Sequence, residues 1–259
     1  MNYMAMILNH KIIGEGKPLI ILHGLFGMLD NWQRFAKEIS GRYKVILVDQ
    51  RNHGKSFRSV QFTYELLAQD IINLMDNLGI DKAHVLGHSM GGKTTMKIAT
   101  TFPERIESFI VVDIAPKTYE GDHQFIFDSV LSMDVGAAQS RKDIDEHLAT
   151  SISEKSIRLF LMKNLARKKK GGFEWKANFQ VLKNEYAKIM DNSISTTSES
   201  KGLFIKGELS HYILSEDEPT IKRLFPNSTV VSIEGAGHWV HADRAEKLLA
   251  VVSNFLNET

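Results

Sequence analysis

Six short apolar runs punctuate the chain, at residues 19–22, 45–48, 85–86, 109–112, 203–205 and 229–233. Several show no alternation of polar and apolar positions. A strand covered on both faces reads that way, because neither side meets water. Longer segments with helical spacing lie between them. These are 32–39, 63–78, 90–101 and 243–256. Thr63 stands where a helix cap belongs and Gly79 where a helix stops. Pro103 ends the third segment, since the residue before a proline is pushed out of helical geometry. Strand and helix alternating in this manner predict an α/β fold, a mostly parallel doubly wound sheet. The opening residues, 1–14, fit an antiparallel hairpin at one edge.

The rhythm breaks between about 118 and 200. Helical patterns follow one another at 125–133, 144–152, 157–166 and 178–190, with a charged stretch at 166–175. The reading is a core domain made of 1–117 and 201–259 with a helical cap, 118–200, over the ligand end of the sheet. Further crossover helices are the alternative. The polar run "SISTTSES" at 193–200 reads as the linker back to the core.

Composition narrows the classes. With 259 residues the chain can bury a large core, and 43% hydrophobic with 24% charged residues is ordinary for a globular protein. A net charge of +1 carries no field that favours nucleic acid or a membrane surface. The absence of cysteine excludes disulfides, thiolate metal sites and a cysteine nucleophile. No secretory leader pattern opens the chain and no apolar run approaches a membrane span, so a cytoplasmic location is expected.

Three motifs carry chemistry. "GHSMG", Gly87 to Gly91, follows a strand pattern and opens a helix. That context is a nucleophile elbow: Ser89 on a tight strand-to-helix turn, with small residues two places to either side. "LHGLFG" follows the run at 19–22 and offers backbone N–H groups for an oxyanion. The expected donors are Met90 and Leu25, with Phe26 as the weaker choice for the second. Losing one such donor costs about 100–1000-fold in rate. "GAGHWVHAD" follows the last strand, and His238 on its glycine-flanked loop is the expected base, with His241 the competitor. His88 points away from Ser89, and His23 braces its loop rather than acting as a base.

The set "LHGLFG", "VDQRNHGKS", "GHSMGG", "FPERIESFIVVDIAP" and "GAGHW" resembles the α/β-hydrolase superfamily. Within it the match is closest to the YbfF-type esterases related to abhydrolase domain-containing protein 11, carried by "RNHGKS" and "VVDIAP". The resemblance covers 1–117 and 201–259. It implies an α/β-hydrolase fold and a serine esterase acting on short-to-medium acyl esters, and CoA thioesters as a further class.

The triad acid is the open position. After the strand at 203–205 the residue three places beyond Gly207 is Ser210, where an aspartate would commonly stand. Glu208, Glu216, Asp217 and Asp113 compete. Asp113 ends the apolar run after the nucleophile helix, at the carboxyl edge of the sheet where ligands bind. The resemblance implies the same residue. The expected triad is therefore Ser89, His238 and Asp113, with no metal and no organic cofactor. Asp49 and Arg51 are read as a pair that organises a turn. His23, Phe26, Trp175 and Trp239 are expected to meet the substrate, a small-molecule acyl ester or thioester. Phe125, Phe127, Phe160, Leu161, Met162 and Phe173 are further candidate walls. The basic run Arg167 to Lys170 reads as a solvated helix end, with a CoA phosphate as its alternative ligand. Two other functions stay open: a lyase or C–C hydrolase on the same triad, as in the menaquinone-pathway synthase, and a ligand-binding protein without chemistry.

Overall fold

The structure, a computed structural model, describes residues 6–192 and 194–258. Strands are β1 (His10–Ile13), β2 (Lys17–Leu22), β3 (Tyr43–Val48), β4 (Ala83–His88), β5 (Ile106–Val112), β6 (Leu165–Arg167), β7 (Phe173–Trp175), β8 (Gly202–Gly207) and β9 (Ser228–Ile233). Helices are α1 (Gln33–Ile39), α2 (Tyr64–Asn77), α3 (Met90–Thr101), α4 (Gln124–Leu131), α5 (Arg141–Ala149), α6 (Lys155–Met162), α7 (Phe179–Asn184), α8 (Tyr186–Met190), α9 (Glu218–Leu224), α10 (Val240–Asp243) and α11 (Ala245–Asn257). The main sheet runs in the order β1-β3-β2-β4-β5-β8-β9. Only β1 is antiparallel, against β3; the other pairings are parallel. The fold is thus the expected mostly parallel, doubly wound sheet.

Side chains of a strand alternate between the two faces, and each face is covered. Leu19, Ile21, Val45 and Leu47 pack with Phe35 and Ile39 of α1 and Leu248 and Val252 of α11. Ile20, Leu22, Ile46 and Val48 pack on the opposite face with Ile71 of α2, Met96 of α3 and Ile221 of α9. This double covering is why the runs lack polar alternation. Thr63 caps α2 by accepting the Leu66 N–H at 3.3 Å.

Several elements differ from the sequence reading. The hairpin over 1–14 has its first five residues outside the described residues; the remainder supplies β1, which pairs with β3 at the sheet edge instead of with its own neighbour. The segment 166–175 is no helix end. It belongs to a small two-stranded hairpin, β6–β7, and Lys168 to Lys170 lie in its turn. The pattern at 178–190 divides into α7 and α8 at Glu185. The last helix begins at Ala245, after the separate turn α10. Residue 193 of the expected linker lies outside the described residues. Asp49 and Arg51 both hold the loop after β3, but through different partners: the Arg51 guanidinium grips Asp70 of α2 at 2.6 and 2.8 Å and donates to the Gln61 carbonyl at 2.9 Å. Asp49 instead accepts the N–H groups of Leu29 and Lys55, both at 2.8 Å.

Between β5 and β8 the chain packs a third apolar cluster. Ile126, Phe127, Leu161, Phe173, Phe179 and Leu182 build it, together with Phe26, Phe62, Tyr64, Leu67 and Met90 from the sheet domain. This segment therefore sits directly over the loop after β2 and the start of α3. Among the described residues, no helix is long and apolar enough to cross a membrane.

Candidate active site

Ser89 stands between β4 and α3 with φ of +52°, a region that costs an ordinary residue strain. The turn is this tight because chains converge on it. A Cβ on Gly87 would lie 2.0 Å from the Gly91 carbonyl oxygen, and one on Gly91 would lie 2.6 Å from the carbonyls of Leu22 and His23. The Ser89 N–H is held by the Val112 carbonyl at 3.0 Å. That leaves the hydroxyl at the carboxyl end of the sheet, on a cavity of about 400 Å³.

Across that cavity the loop after β2 is pinned atom by atom. Gln50 N–H donates to His23 Nε2 at 3.1 Å, and His23 Nδ1–H donates to the Gly24 carbonyl at 2.8 Å. The acceptor role of Nε2 requires a neutral imidazole, and burial pulls His23 down to about 4. The Gln50 amide also donates to the His23 carbonyl at 2.7 Å, and Thr94 of α3 holds the Gln50 amide oxygen at 2.9 Å. His53 repeats the device. Its Nε2 accepts the Phe26 N–H at 3.3 Å while Nδ1–H donates to the Arg51 carbonyl at 3.0 Å. Burial, with the neighbouring His23, pulls it down to about 3. Asn164, fully buried, donates to the Phe26 carbonyl at 2.7 Å. The Phe26 N–H is thereby taken. Among the described residues, the N–H groups of Leu25 and Met90 have no acceptor, and both residues border the cavity.

His238 follows β9. Its Nδ1–H donates to Asp113 Oδ2 at 2.7 Å. Asp113 is fully buried at the end of β5, with φ of +54°. Its carboxylate accepts two further hydrogen bonds, from the Gly207 N–H to Oδ1 at 3.0 Å and from the Ser210 hydroxyl to Oδ2. Glu208 turns outward and accepts the Gly235 N–H at 2.8 Å; Asp217 pairs with Lys117 at 2.7 Å. His88 donates through Nε2–H to the His238 carbonyl at 2.9 Å, and burial holds it well below the ordinary histidine range. His241 stacks on Trp32 at 4.6 Å, and burial pulls it down to about 4.

Ser89, His238, Leu25, Met90, His23, Phe26 and Trp239 all border the one cavity. Trp175 does not: its ring packs on Phe179 at 5.2 Å, inside the third cluster's rim. Phe125, Phe160 and Leu161 reach the cavity, whereas Phe127, Met162 and Phe173 are spent on packing beneath it. His23 borders the cavity with both its nitrogens engaged within the loop. None of Arg167 to Lys170 borders the cavity. Position in the sequence did not single out His53, Asn164, Lys93 or Tyr212. Lys93, on the first turns of α3, donates to the carbonyls of Met190 and Asp191 at 2.8 and 2.6 Å, and burial pulls it down to about 7. The only signal for His53 was its place in "RNHGKS".

An elbow serine, an imidazole on a buried carboxylate and two free N–H groups on one apolar cavity define a hydrolase of the α/β type. The sequence profile described as the alpha/beta hydrolase fold matches residues 17–245, and the chain belongs to that family. Within it the chain groups with the carboxylic ester hydrolases. It is 33% identical over 245 residues to Esterase YbfF of Escherichia coli (strain K12), covering 94% of each chain. It is 36% identical over 253 residues to the sn-1-specific diacylglycerol lipase ABHD11 of Danio rerio, covering 94% of this chain and 79% of that one. A solved marine microorganism esterase superposes with a TM-score of 0.94 at 37% identity, over 96% of this chain and 99% of the other.

Proposed function

We propose that the chain is a serine esterase that hydrolyses short-to-medium acyl esters through Ser89, His238 and Asp113. The observation that carries this reading is the 2.7 Å contact between His238 and the buried Asp113 carboxylate, beside a cavity that Ser89 shares. The Ser89 hydroxyl gives its proton to His238 Nε2 as its oxygen attacks the acyl carbonyl. The Leu25 and Met90 N–H groups hold the oxyanion. His238 then gives that proton to the departing alcohol, which leaves an acyl-enzyme. Water attacks the acyl group, His238 takes its proton and returns it to Ser89, and the carboxylic acid departs. Asp113 holds the tautomer with Nδ1 protonated and stabilises the imidazolium at each step. The segment 118–200 acts as a cap whose Phe125, Phe160 and Leu161, with Trp239, form the acyl-chain wall.

The test is labelling by a fluorophosphonate probe, followed by p-nitrophenyl esters of increasing chain length. A CoA thioester series and diacylglycerol serve as comparison arms. Labelling lost in Ser89→Ala, with turnover highest from acetate to octanoate, is the expected result. Absence of labelling in folded protein refutes the reading. Turnover confined to elimination or C–C cleavage substrates refutes the ester assignment.

A further inference from the structure

We propose that Tyr212 is a positioning residue for His238, its ring face holding the imidazole between Asp113 and Ser89 and stabilising the imidazolium that acyl transfer creates. The inference rests on the triad just proposed and adds to it a residue outside the triad. The two rings lie 3.9 Å apart, centre to centre, at an interplanar angle of 20°. That is a face-to-face stack, closer than the His88 ring at 4.7 Å and 42°. An aromatic face carries negative charge density and attracts a cation set over it. A neutral imidazole gains much less. The contact therefore favours the protonated ring, the state His238 enters when Ser89 attacks.

The stack is built and not incidental, because both backbone groups of Tyr212 are tied down. Its carbonyl accepts the Tyr119 hydroxyl at 2.6 Å, and its N–H donates to the Ser210 hydroxyl oxygen at 3.3 Å. Tyr119 is held in turn by the Ala115 N–H at 2.7 Å. Tyr212 is thus anchored to the loop after β5 that carries Asp113. Around His238 the other titratable groups include Asp113 from the end of β5, His88 from β4, Asp122 and His123 ahead of α4, paired at 3.0 Å, and His241 and Asp243 from α10. Burial keeps His88, His123 and His241 below the ordinary histidine range, so they stay neutral near pH 7. Asp113 at Nδ1 and the Tyr212 face are then the groups in direct contact with the ring on which an imidazolium would form.

The experiment compares Tyr212→Phe and Tyr212→Leu in the full chain. The readouts are kcat and KM for p-nitrophenyl butyrate and the pH profile of kcat/KM, with thermal melting as the folding control. Tyr212→Phe keeps the ring and is expected within about twofold of the unsubstituted protein, with the same acid limb. Tyr212→Leu removes the face. Its acid limb is expected about one pH unit lower, with kcat down about tenfold and KM little changed. A leucine variant with the unsubstituted acid limb and kcat overturns the proposal. So does a phenylalanine variant that loses as much as leucine, since the hydroxyl would then be the active part. If leucine prevents folding, Tyr212→Met makes the same comparison. His238→Ala separates the two levels: loss of turnover there with an unaffected Tyr212→Leu overturns only the Tyr212 role, whereas retained turnover in His238→Ala overturns both.

Discussion

Replacing Asp113 by asparagine changes one atom's chemistry and no volume. The surroundings of the carboxylate decide what the amide does. Oδ1 faces the Gly207 N–H at 3.0 Å, and a backbone donor cannot turn away. The amide must therefore keep its oxygen there and put its NH₂ at the Oδ2 position, against His238 Nδ1. Two donors cannot face each other at 2.7 Å. His238 would then move its proton to Nε2, and Nε2 could no longer accept the proton from Ser89. The Ser210 hydroxyl, a donor to Oδ2 at present, can rotate to accept from the amide, so the variant folds. With the base in the wrong tautomer, kcat falls about 10⁴-fold, which is about 5 kcal/mol at the barrier. The assay is kcat/KM for p-nitrophenyl butyrate near pH 7.5, with thermal melting beside it. Ser210→Ala removes one donor from a charged acceptor, and about 10-fold is the expected loss. Glu208→Gln, outward on the surface, is expected within twofold. Asp113→Asn retaining more than a tenth of the activity, or Glu208→Gln losing as much, refutes the reasoning.

Three further outcomes follow from the packing. A Cβ on Gly24 would lie 2.9 Å from His88 Nδ1 and 3.2 Å from Ser89 Cβ, so Gly24→Ala should cut kcat/KM about 10- to 100-fold with a melting temperature nearly unchanged. His53→Leu leaves the buried Phe26 N–H without its acceptor; a loss of about 1–3 kcal/mol should lower the melting temperature by roughly 3–10 °C, and an unchanged value would contradict the bracing role. Burial pulls His23 down to about 4 and His53 to about 3 in the folded chain, below the unfolded value near 6.5, so the unfolded chain binds more protons throughout that window. Their contribution is present above pH 6.5 and lost as pH falls toward 4, on the order of 3 kcal/mol for His23; urea midpoints that stay flat from pH 6.5 to 4 would count against it.

The sheet was legible because its physics is local to each run. An apolar stretch bounded by turn residues, too short for a helix, reads as a strand, and all six runs lie inside observed strands, although β9 at the sheet edge is only partly buried. The tight turn at Ser89 announced itself through glycines that backbone crowding demands. Other features depend on partners that chain order does not reveal. Arg51 could be read as part of a turn, but its carboxylate partner could not: that is Asp70, on a helix that the fold brings alongside. Strands of three residues such as β6 and β7 bury too little to leave a period, so the basic turn between them read as the end of a helix. Trp175 looked like a cavity wall because its bulk and position in the insertion fitted one. Histidines make the same point about chemistry. His23, His53 and His88 are polar residues in sequence, but burial makes each a neutral strut with a fixed tautomer.

The loop at 207–213 gains a meaning from this geometry. Its serine hydroxyl touches the Asp113 carboxylate, and its tyrosine ring covers the His238 imidazole. An aspartate at 210 would set a second carboxylate against the first inside a buried site. Two such groups cannot both stay ionised, and one would be held protonated. The acid positions after β5 and after β8 are therefore exclusive of one another. With Asp113 in place, the residue at 210 must be neutral and must donate, which serine does at the least cost in volume. With Asp113 as the proposed acid, the loop is left to orient the proposed base from its face, which is the role proposed for Tyr212. The roles proposed for Ser210 and Tyr212 thus both follow from the carboxylate at the end of β5.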